Sequence, residues 1–262
     1  MTVLVNFVRE APGAPQVTGA VDISRPPSGS LISCIMPTRG FAFPARLAID
    51  CFCNQTYPNR ELVIVSATVD SEVKALVAQL RDPRIRMIEA PDAQTVGALR
   101  NAAIAEAAGD LISIWDDDDL SHADRLWWQS TGLDQVDGDA CFLSNVILWW
   151  PARTRLAISS TRRWEGTMLA KRRFLPSYPD MDRGEDSILV DRLKASAVTV
   201  RLERPMAYCY VRHGNNVWDG DHFNYLLDTS SQLVAPEAYA DSLRHLAKWM
   251  PIDAYQAGRV MD

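Results

Sequence analysis

Residues 110–128 read DLISIWDDDDLSHADRLWW. An apolar run, Leu111 to Trp115, ends in four consecutive aspartates, Asp116 to Asp119. Adjacent carboxylates repel: two unit charges about 4 Å apart cost on the order of 1 kcal/mol in water and several times that where the dielectric falls. An acidic run directly after a buried strand therefore asks for a compensating group. In an open α/β sheet, ligands sit outside the carboxyl ends of the strands, which is where this run falls. If the extended conformation continues, Asp116 and Asp118 share a face with Ile112 and Ile114, while Asp117 and Asp119 point elsewhere. The expectation is two site carboxylates, with the other two solvated or capping a helix after Leu120.

Working outward, the same strand-then-helix rhythm fills the segment before the run. LISCIMP (31–37), ELVIVS (61–66), RIRMIEA (84–90) and LISIW (111–115) are short apolar runs without polar alternation, as in strands covered on both faces. Between them, Leu47, Ile49, Cys51 and Phe52, then Val73, Leu76, Val77 and Leu80, then Val96, Leu99, Ala103, Ile104 and Ala107 recur at helical spacing. Strands alternating with helices predict βαβ units: an α/β/α sandwich around a mainly parallel central sheet.

The pattern changes after Asp119. A helix is expected over 121–133, two longer strands as a hairpin around Pro151, a helix in GEDSILVDRLKAS (184–196), a strand in AVTVRLE (197–203), and a loop through YVRHGNN (210–216). Residues 1–30 read as an irregular lead-in: 9–30 are rich in Pro, Gly and Ser, and the short run VLVNFV (3–8) before them reads as an extra strand or a disordered tail. The main domain is expected over 31–220, divided into halves 31–120 and 121–220, with a short helical tail over 221–262.

The chain has 262 residues, 47% hydrophobic and 23% charged, enough for a sizeable core. Its 33 acidic against 27 basic residues argue against non-specific nucleic-acid binding. The cysteines (Cys34, Cys51, Cys53, Cys141, Cys209) form no CxxC pair, so neither a zinc site nor a disulfide framework is expected; reduced core thiols in a cytoplasmic protein fit better. The opening MTVLVNFVRE is not read as a secretory leader. No apolar run reaches the roughly 18 residues of a membrane span, although peripheral membrane contact stays compatible with the composition.

A hard divalent cation would relieve the repulsion among the aspartates. Mg²⁺ and Mn²⁺ prefer oxygen ligands, and Mg²⁺ is typically held by one or two carboxylates plus substrate phosphates and water. A bare acidic run is more often a solvated turn. The strand-end position favours the site.

From Leu31 to Trp218 the chain resembles the family 2 glycosyltransferases, which have the GT-A nucleotide-sugar-binding fold. The resemblance is carried in order by SCIMPTRG (33–40), AIDCFCNQTYPNRELVIV (48–65), VGALRNAAIAEAAGDLISIWDDDD (96–119), RGEDSIL (183–189) and YVRHGNNVW (210–218). It implies that Asp116 and Asp118 are the two aspartates of an Asp-x-Asp element, Asp118 holding Mn²⁺ or Mg²⁺ and Asp116 facing the donor, with Asp117 beside them. It implies Asp186 as general base, Glu185 as a group orienting the acceptor or the base, and Pro37, Thr38 and Arg39 as the lining of the base pocket. Arg100 is placed near the nucleotide, and His213 on a loop that reaches the metal or diphosphate. Ser66 and Ala67 stand where the family commonly has an acidic pair, so a UDP-sugar is only the default donor.

The chemistry implied is inverting transfer of a sugar from a nucleotide-diphosphate sugar to a hydroxyl of a carbohydrate or glycoconjugate. Trp164 and Trp218, in loop-like context beside arginines and HGNN, are acceptor-side candidates, although most tryptophans serve core packing. Two other readings stand beside this one. A sugar-phosphate nucleotidyltransferase needs a glycine-rich loop after the first strand, where only Gly40 is present. A catalytically silent homologue is favoured by Ser66-Ala67 and disfavoured by Asp118 and Asp186.

Overall fold

The computed structural model describes residues 2–68, 71–214 and 216–258. Asp70, the acidic residue nearest in sequence to Ser66, lies outside them. The expected irregular lead-in instead holds a β-hairpin, β1 (Leu4–Glu10) and β2 (Val17–Asp22), paired antiparallel. The Pro- and Gly-rich composition marks its turn and the chain that follows. The strands form because Val5 and Val21, opposite each other, both reach the core.

The next segment follows the expected alternation: β3 (Ile32–Pro37), α1 (Ala42–Cys53), β4 (Arg60–Ser66), α2 (Ser71–Leu80), β5 (Ile85–Glu89), α3 (Val96–Glu106) and β6 (Leu111–Ile114). Strand β3 pairs parallel with both β4 and β6, and β4 parallel with β5. The interior residues of β3 and all of β6 are buried, so both faces are covered and the strands read as continuous apolar runs.

The second half is less regular. It contains β7 (Leu120–Ser121), α4 (Arg125–Gln135), β8 (Ala140–Leu143), β9 (Ile147–Trp150), β10 (Arg155–Ile158), β11 (Trp164–Lys171), α5 (Glu185–Ser196), β12 (Thr199–Leu202) and β13 (Tyr208–Val211). The tail adds α6 (Gly220–Asp228), β14 (Gln232–Leu233), α7 (Tyr239–Leu246) and α8 (Ile252–Gly258). The expected hairpin around Pro151 is present as β9 and β10. The run ACFLSNVILWW is not one strand: Ser144, Asn145 and Val146 carry the chain from one sheet to another.

A nine-stranded sheet has the order β2-β1-β12-β8-β11-β6-β3-β4-β5, and a five-stranded sheet the order β14-β10-β9-β13-β7. The large sheet is mixed rather than mainly parallel. Strand β11 runs antiparallel between β6 and β8, because it returns from the β9–β10 hairpin instead of from a crossover helix. Helix α4 begins at Arg125, later than expected, since Leu120 and Ser121 are used in pairing with Cys209 and Tyr208. Among the described residues no helix is long and apolar enough to cross a membrane.

Candidate active site

Strand β6 ends at Ile114, and the chain then turns at Asp117 and Asp118. The two-residue alternation is lost, and each aspartate finds its own partners. Asp116 accepts from Arg100 Nη2 at 3.0 Å and from Tyr208 Oη at 3.3 Å. Room for it depends on Gly166 of β11, where a Cβ would lie 2.8 Å from Asp116 Oδ2. Asp117 lies beside the Thr38 hydroxyl, and its Oδ2 has no hydrogen-bond partner among the described residues. Burial, reinforced by the charge of Asp118, pushes its pKa up to about 8. Asp118 Oδ2 meets His213 Nε2 at 2.8 Å and accepts from Asn216 Nδ2 at 3.3 Å. Asp119 accepts from Val211 N at 2.8 Å and from Tyr208 Oη. Burial and its acidic neighbours raise the Asp119 pKa well above the usual carboxylate range.

Asp119 is therefore buried and Asp117 faces the cavity, and neither caps a helix. The residue at the α4 N-cap position is Asp124. Behind the turn lies Arg125, fully buried, donating to the Ile114 carbonyl at 2.9 Å and to Ser121 Oγ at 3.0 Å. Its guanidinium faces the rings of Trp115 and Tyr208. Asp116 and Asp119 both feel this cation.

The second carboxylate group reaches the same place from a distant part of the chain. The Gly-Ala-Leu-Arg-Asn stretch of α3 (97–101) acts as a dock for the segment 178–185. A Cβ on Gly97 would overlap the Pro179 carbonyl oxygen, so only glycine lets that backbone approach. Asn101 donates to the Tyr178 carbonyl at 2.8 Å and accepts from Tyr178 N at 2.9 Å. Arg100 completes the dock by donating from Nη1 to Glu185 Oε1 at 2.6 Å. Burial raises the Glu185 pKa to about 7, against the pull of Arg100. Asp186 follows in the first turn of α5 and accepts from Ser187 N at 2.7 Å.

The two groups face one cavity of about 200 Å³. Of the residues singled out from the sequence, Pro37, Arg100, Asp116, Asp117, Asp118, Glu185, Asp186, Trp164 and Trp218 line it. Thr38 lies behind Asp117, and His213 reaches the site through Asp118. Arg39 is not among the lining residues but pairs with one of them, Asp182. Ser66 is buried and accepts from Thr68 N at 3.3 Å within its own turn. Trp164 is only 5% exposed, with Arg162 stacked on its ring, whereas Trp218 is 43% exposed beside His222. The sequence reading assigned no role to Tyr208, Arg125, Asn216 or Glu165. Tyr208, Asn216 and Glu165 also line the cavity, and Glu165 pairs with Arg162 at 2.7 Å.

As a cation site the cluster is partial. Among the described residues no three His, Cys, Asp or Glu side chains come together as a metal cage. Asp118 and His213 offer one carboxylate and one imidazole at a common point, a set suited to a cation that keeps water and takes its remaining ligands from phosphate oxygens.

Comparison with known structures places this architecture. The S. aureus TarS fragment 1-349 in complex with UDP-GlcNAc matches with a TM-score of 0.60 at 17% identity, over 83% of this chain and 65% of that one. The mannosyltransferase PcManGT from Pyrobaculum calidifontis, in complex with GDP-Man and Mn²⁺, matches with a TM-score of 0.56 at 17% identity, over 92% of this chain and 81% of that one. The fold is that of the GT-A glycosyltransferases. Residues 33–129 match the model of glycosyl transferase family 2.

Two Escherichia coli relatives agree. The UDP-Glc:alpha-D-GlcNAc-diphosphoundecaprenol beta-1,3-glucosyltransferase WfgD is 29% identical over 99 residues, 38% of this chain and 39% of that protein. The putative colanic acid biosynthesis glycosyl transferase WcaA of strain K12 is 38% identical over 98 residues, 37% of this chain and 35% of that protein. The chain thus spans about two fifths or less of the length of these relatives.

Proposed function

We propose that the protein is a metal-dependent, inverting glycosyltransferase that moves a sugar from a nucleotide-diphosphate sugar to a hydroxyl of a carbohydrate or glycoconjugate acceptor. The observation that carries this reading is that Asp118, paired with His213, and Asp186 line the same cavity although they come from different halves of the domain. Asp118 and His213 would hold Mn²⁺ or Mg²⁺. When bound, the cation supplies charge neutralisation to the leaving diphosphate. Arg100 keeps Asp116 on the donor side in fixed relation to Glu185 on the acceptor side. Asp186 accepts the proton of the acceptor hydroxyl as that oxygen attacks the anomeric carbon. General-base assistance of this kind is worth typically ~10²–10⁴-fold. Direct displacement from the face opposite the leaving group inverts the anomeric centre.

Donor and acceptor are assigned at the level of class. A UDP-sugar is the first donor to test, with Ser66 in place of an acidic residue leaving a GDP-sugar open. Trp218, 43% exposed with His222 stacked on its ring, is a better acceptor platform than Trp164, which is 5% exposed. Action at the cytoplasmic side, on a soluble or a membrane-linked acceptor, is part of this reading. Calorimetric titration with UDP-, GDP-, CDP- and dTDP-sugars, with and without Mn²⁺, tests it. Metal-dependent binding of one of them is expected, and binding of none would sink the reading.

A further inference from the structure

The loop after β13 holds the acidic turn through one side chain that the reaction scheme leaves unused. Asn216 makes a contact with each hydrogen-bonding capacity of its amide. Its Nδ2 donates to Asp118 Oδ2 at 3.3 Å and to the Val211 carbonyl at 3.0 Å. Its Oδ1 accepts from His213 N at 2.8 Å and from Arg212 Nη1 at 2.7 Å. An amide has two N–H donors and two acceptor lone pairs, so all of its capacity is committed. That assignment fixes the orientation of the group, because a flipped amide would turn its oxygen toward the Asp118 carboxylate and the Val211 carbonyl.

The contacts are not scattered. They join both members of the Asp118–His213 pair, one through its carboxylate and the other through its backbone. They also anchor that pair to the carbonyl of Val211, a residue whose own N–H is given to Asp119. Asp118, through Asn216, and Asp119 directly are thus both tied to the backbone of one residue, Val211, at the end of β13. The hold on Asp118 does not pass through the His213 ring, so it persists when Nε2 of that ring is engaged elsewhere.

We propose that Asn216 is a positioning residue that presents Asp118 and His213 to a divalent cation. This rests on the reading of that pair as the cation site. Groups that orient metal ligands typically change metal affinity by about 10–100-fold when removed.

The test uses the full chain and Mn²⁺, with the free ion followed by electron paramagnetic resonance in the presence of UDP or GDP. Nucleotide affinity without metal and urea unfolding are measured alongside. Asn216→Ala is expected to weaken Mn²⁺ binding by about 10–100-fold while metal-free nucleotide affinity stays within about twofold. Asn216→Ser, which cannot span to Asp118, should behave alike and serves if the alanine variant folds poorly. Unchanged Mn²⁺ affinity, or an equal fall in metal-free nucleotide affinity, would show a merely structural role and overturn the proposal. A wild-type chain that takes up no Mn²⁺ with any nucleotide would remove the cation site itself, and the function proposed above with it.

Discussion

Arg100 and Glu185 form an ion pair of 2.6 Å in which the side chains are only 7% and 6% exposed. The same guanidinium reaches Asp116 at 3.0 Å with its other terminal nitrogen. One cation is thus shared by the two halves of the site, and its removal strands two carboxylates in a region of low dielectric. Breaking a buried pair by deleting one partner typically costs about 3–5 kcal/mol, whereas replacing both partners by apolar groups is often near neutral. Arg100→Leu is therefore expected to lower stability by about that amount in urea unfolding. Arg100→Leu combined with Glu185→Met should recover part of the loss. An Arg100→Leu chain as stable as the wild type would mean that the pair is not buried in solution.

Gly97 tests the dock from the other side. In a helix, Gly→Ala is ordinarily stabilising by up to about 1 kcal/mol. Here the added Cβ meets the backbone at Pro179 and comes within 3.3 Å of the Met181 carbonyl oxygen. That backbone cannot easily yield, because Asn101 holds Tyr178 by both its N–H and its carbonyl. Overpacking of this kind typically costs about 1–3 kcal/mol, so the clash should outweigh the propensity. Gly97→Ala is expected to lower the melting temperature and to reduce transfer more than donor binding, since the displaced segment leads into Glu185 and Asp186. A rise in melting temperature would reverse this assignment.

The two helices of the dock were legible in the sequence because their signals are local. The strand-end aspartates and the Gly-Ala-Leu-Arg-Asn stretch lie within a single βαβ unit, where periodicity reports both the strand and the facing helix. Tyr208 and Asn216 carried no such signal. Tyr208 meets Asp116 across 92 positions of sequence, and Asn216 meets Asp118 across 98. Asn216 falls within the YVRHGNNVW stretch that drew attention to His213, but nothing local to it or to Tyr208 shows which aspartate it meets. The second sheet was hidden for a related reason: β7 and β14 are two residues long, too short for any period to register. The N-terminal hairpin was masked by the Pro and Gly of its turn, which outweighed Val5 and Val21 on either side. Asp117 and Asp119 were misplaced because alternation was carried past Ile114, where the chain had already begun to turn.

A pH prediction arises away from the site. His122 is sandwiched between Trp128 and Trp249, with ring centroids 4.3 and 5.0 Å away. Its Nδ1 accepts from Asp124 N at 3.0 Å, a contact that only a ring unprotonated at Nδ1 makes. Burial lowers its pKa from 6.5 to about 4, with Asp124 opposing the shift. The unfolded chain takes up this proton near 6.5 and the folded chain only near 4, so between those values the unfolded state binds more protons. The contribution is present above pH 6.5 and is lost as the pH falls toward 4. His122→Asn keeps an acceptor for Asp124 N and removes the titration. Urea unfolding across this range should show a shallower acid loss for the variant than for the wild type, and parallel curves would refute the assignment.

Asp186 gives the sharpest separation of binding from chemistry. It lines the cavity at the first turn of α5, and its side chain accepts from Ser187 N in its own helix. Asp186→Asn keeps the shape of the side chain and an acceptor oxygen for that N–H, so the fold should be almost untouched. What it removes is the capacity to take a proton. If Asp186 is the general base, kcat should fall by about 10²–10⁴-fold while the donor dissociation constant changes little. Asp118→Asn should show the opposite division, losing metal-dependent donor binding first. Calorimetry and initial rates on the two variants side by side distinguish the roles. Loss of donor binding in Asp186→Asn would place this carboxylate on the donor side, and the base would then have to be sought among the remaining carboxylates of the cavity, with Glu165 the next to replace.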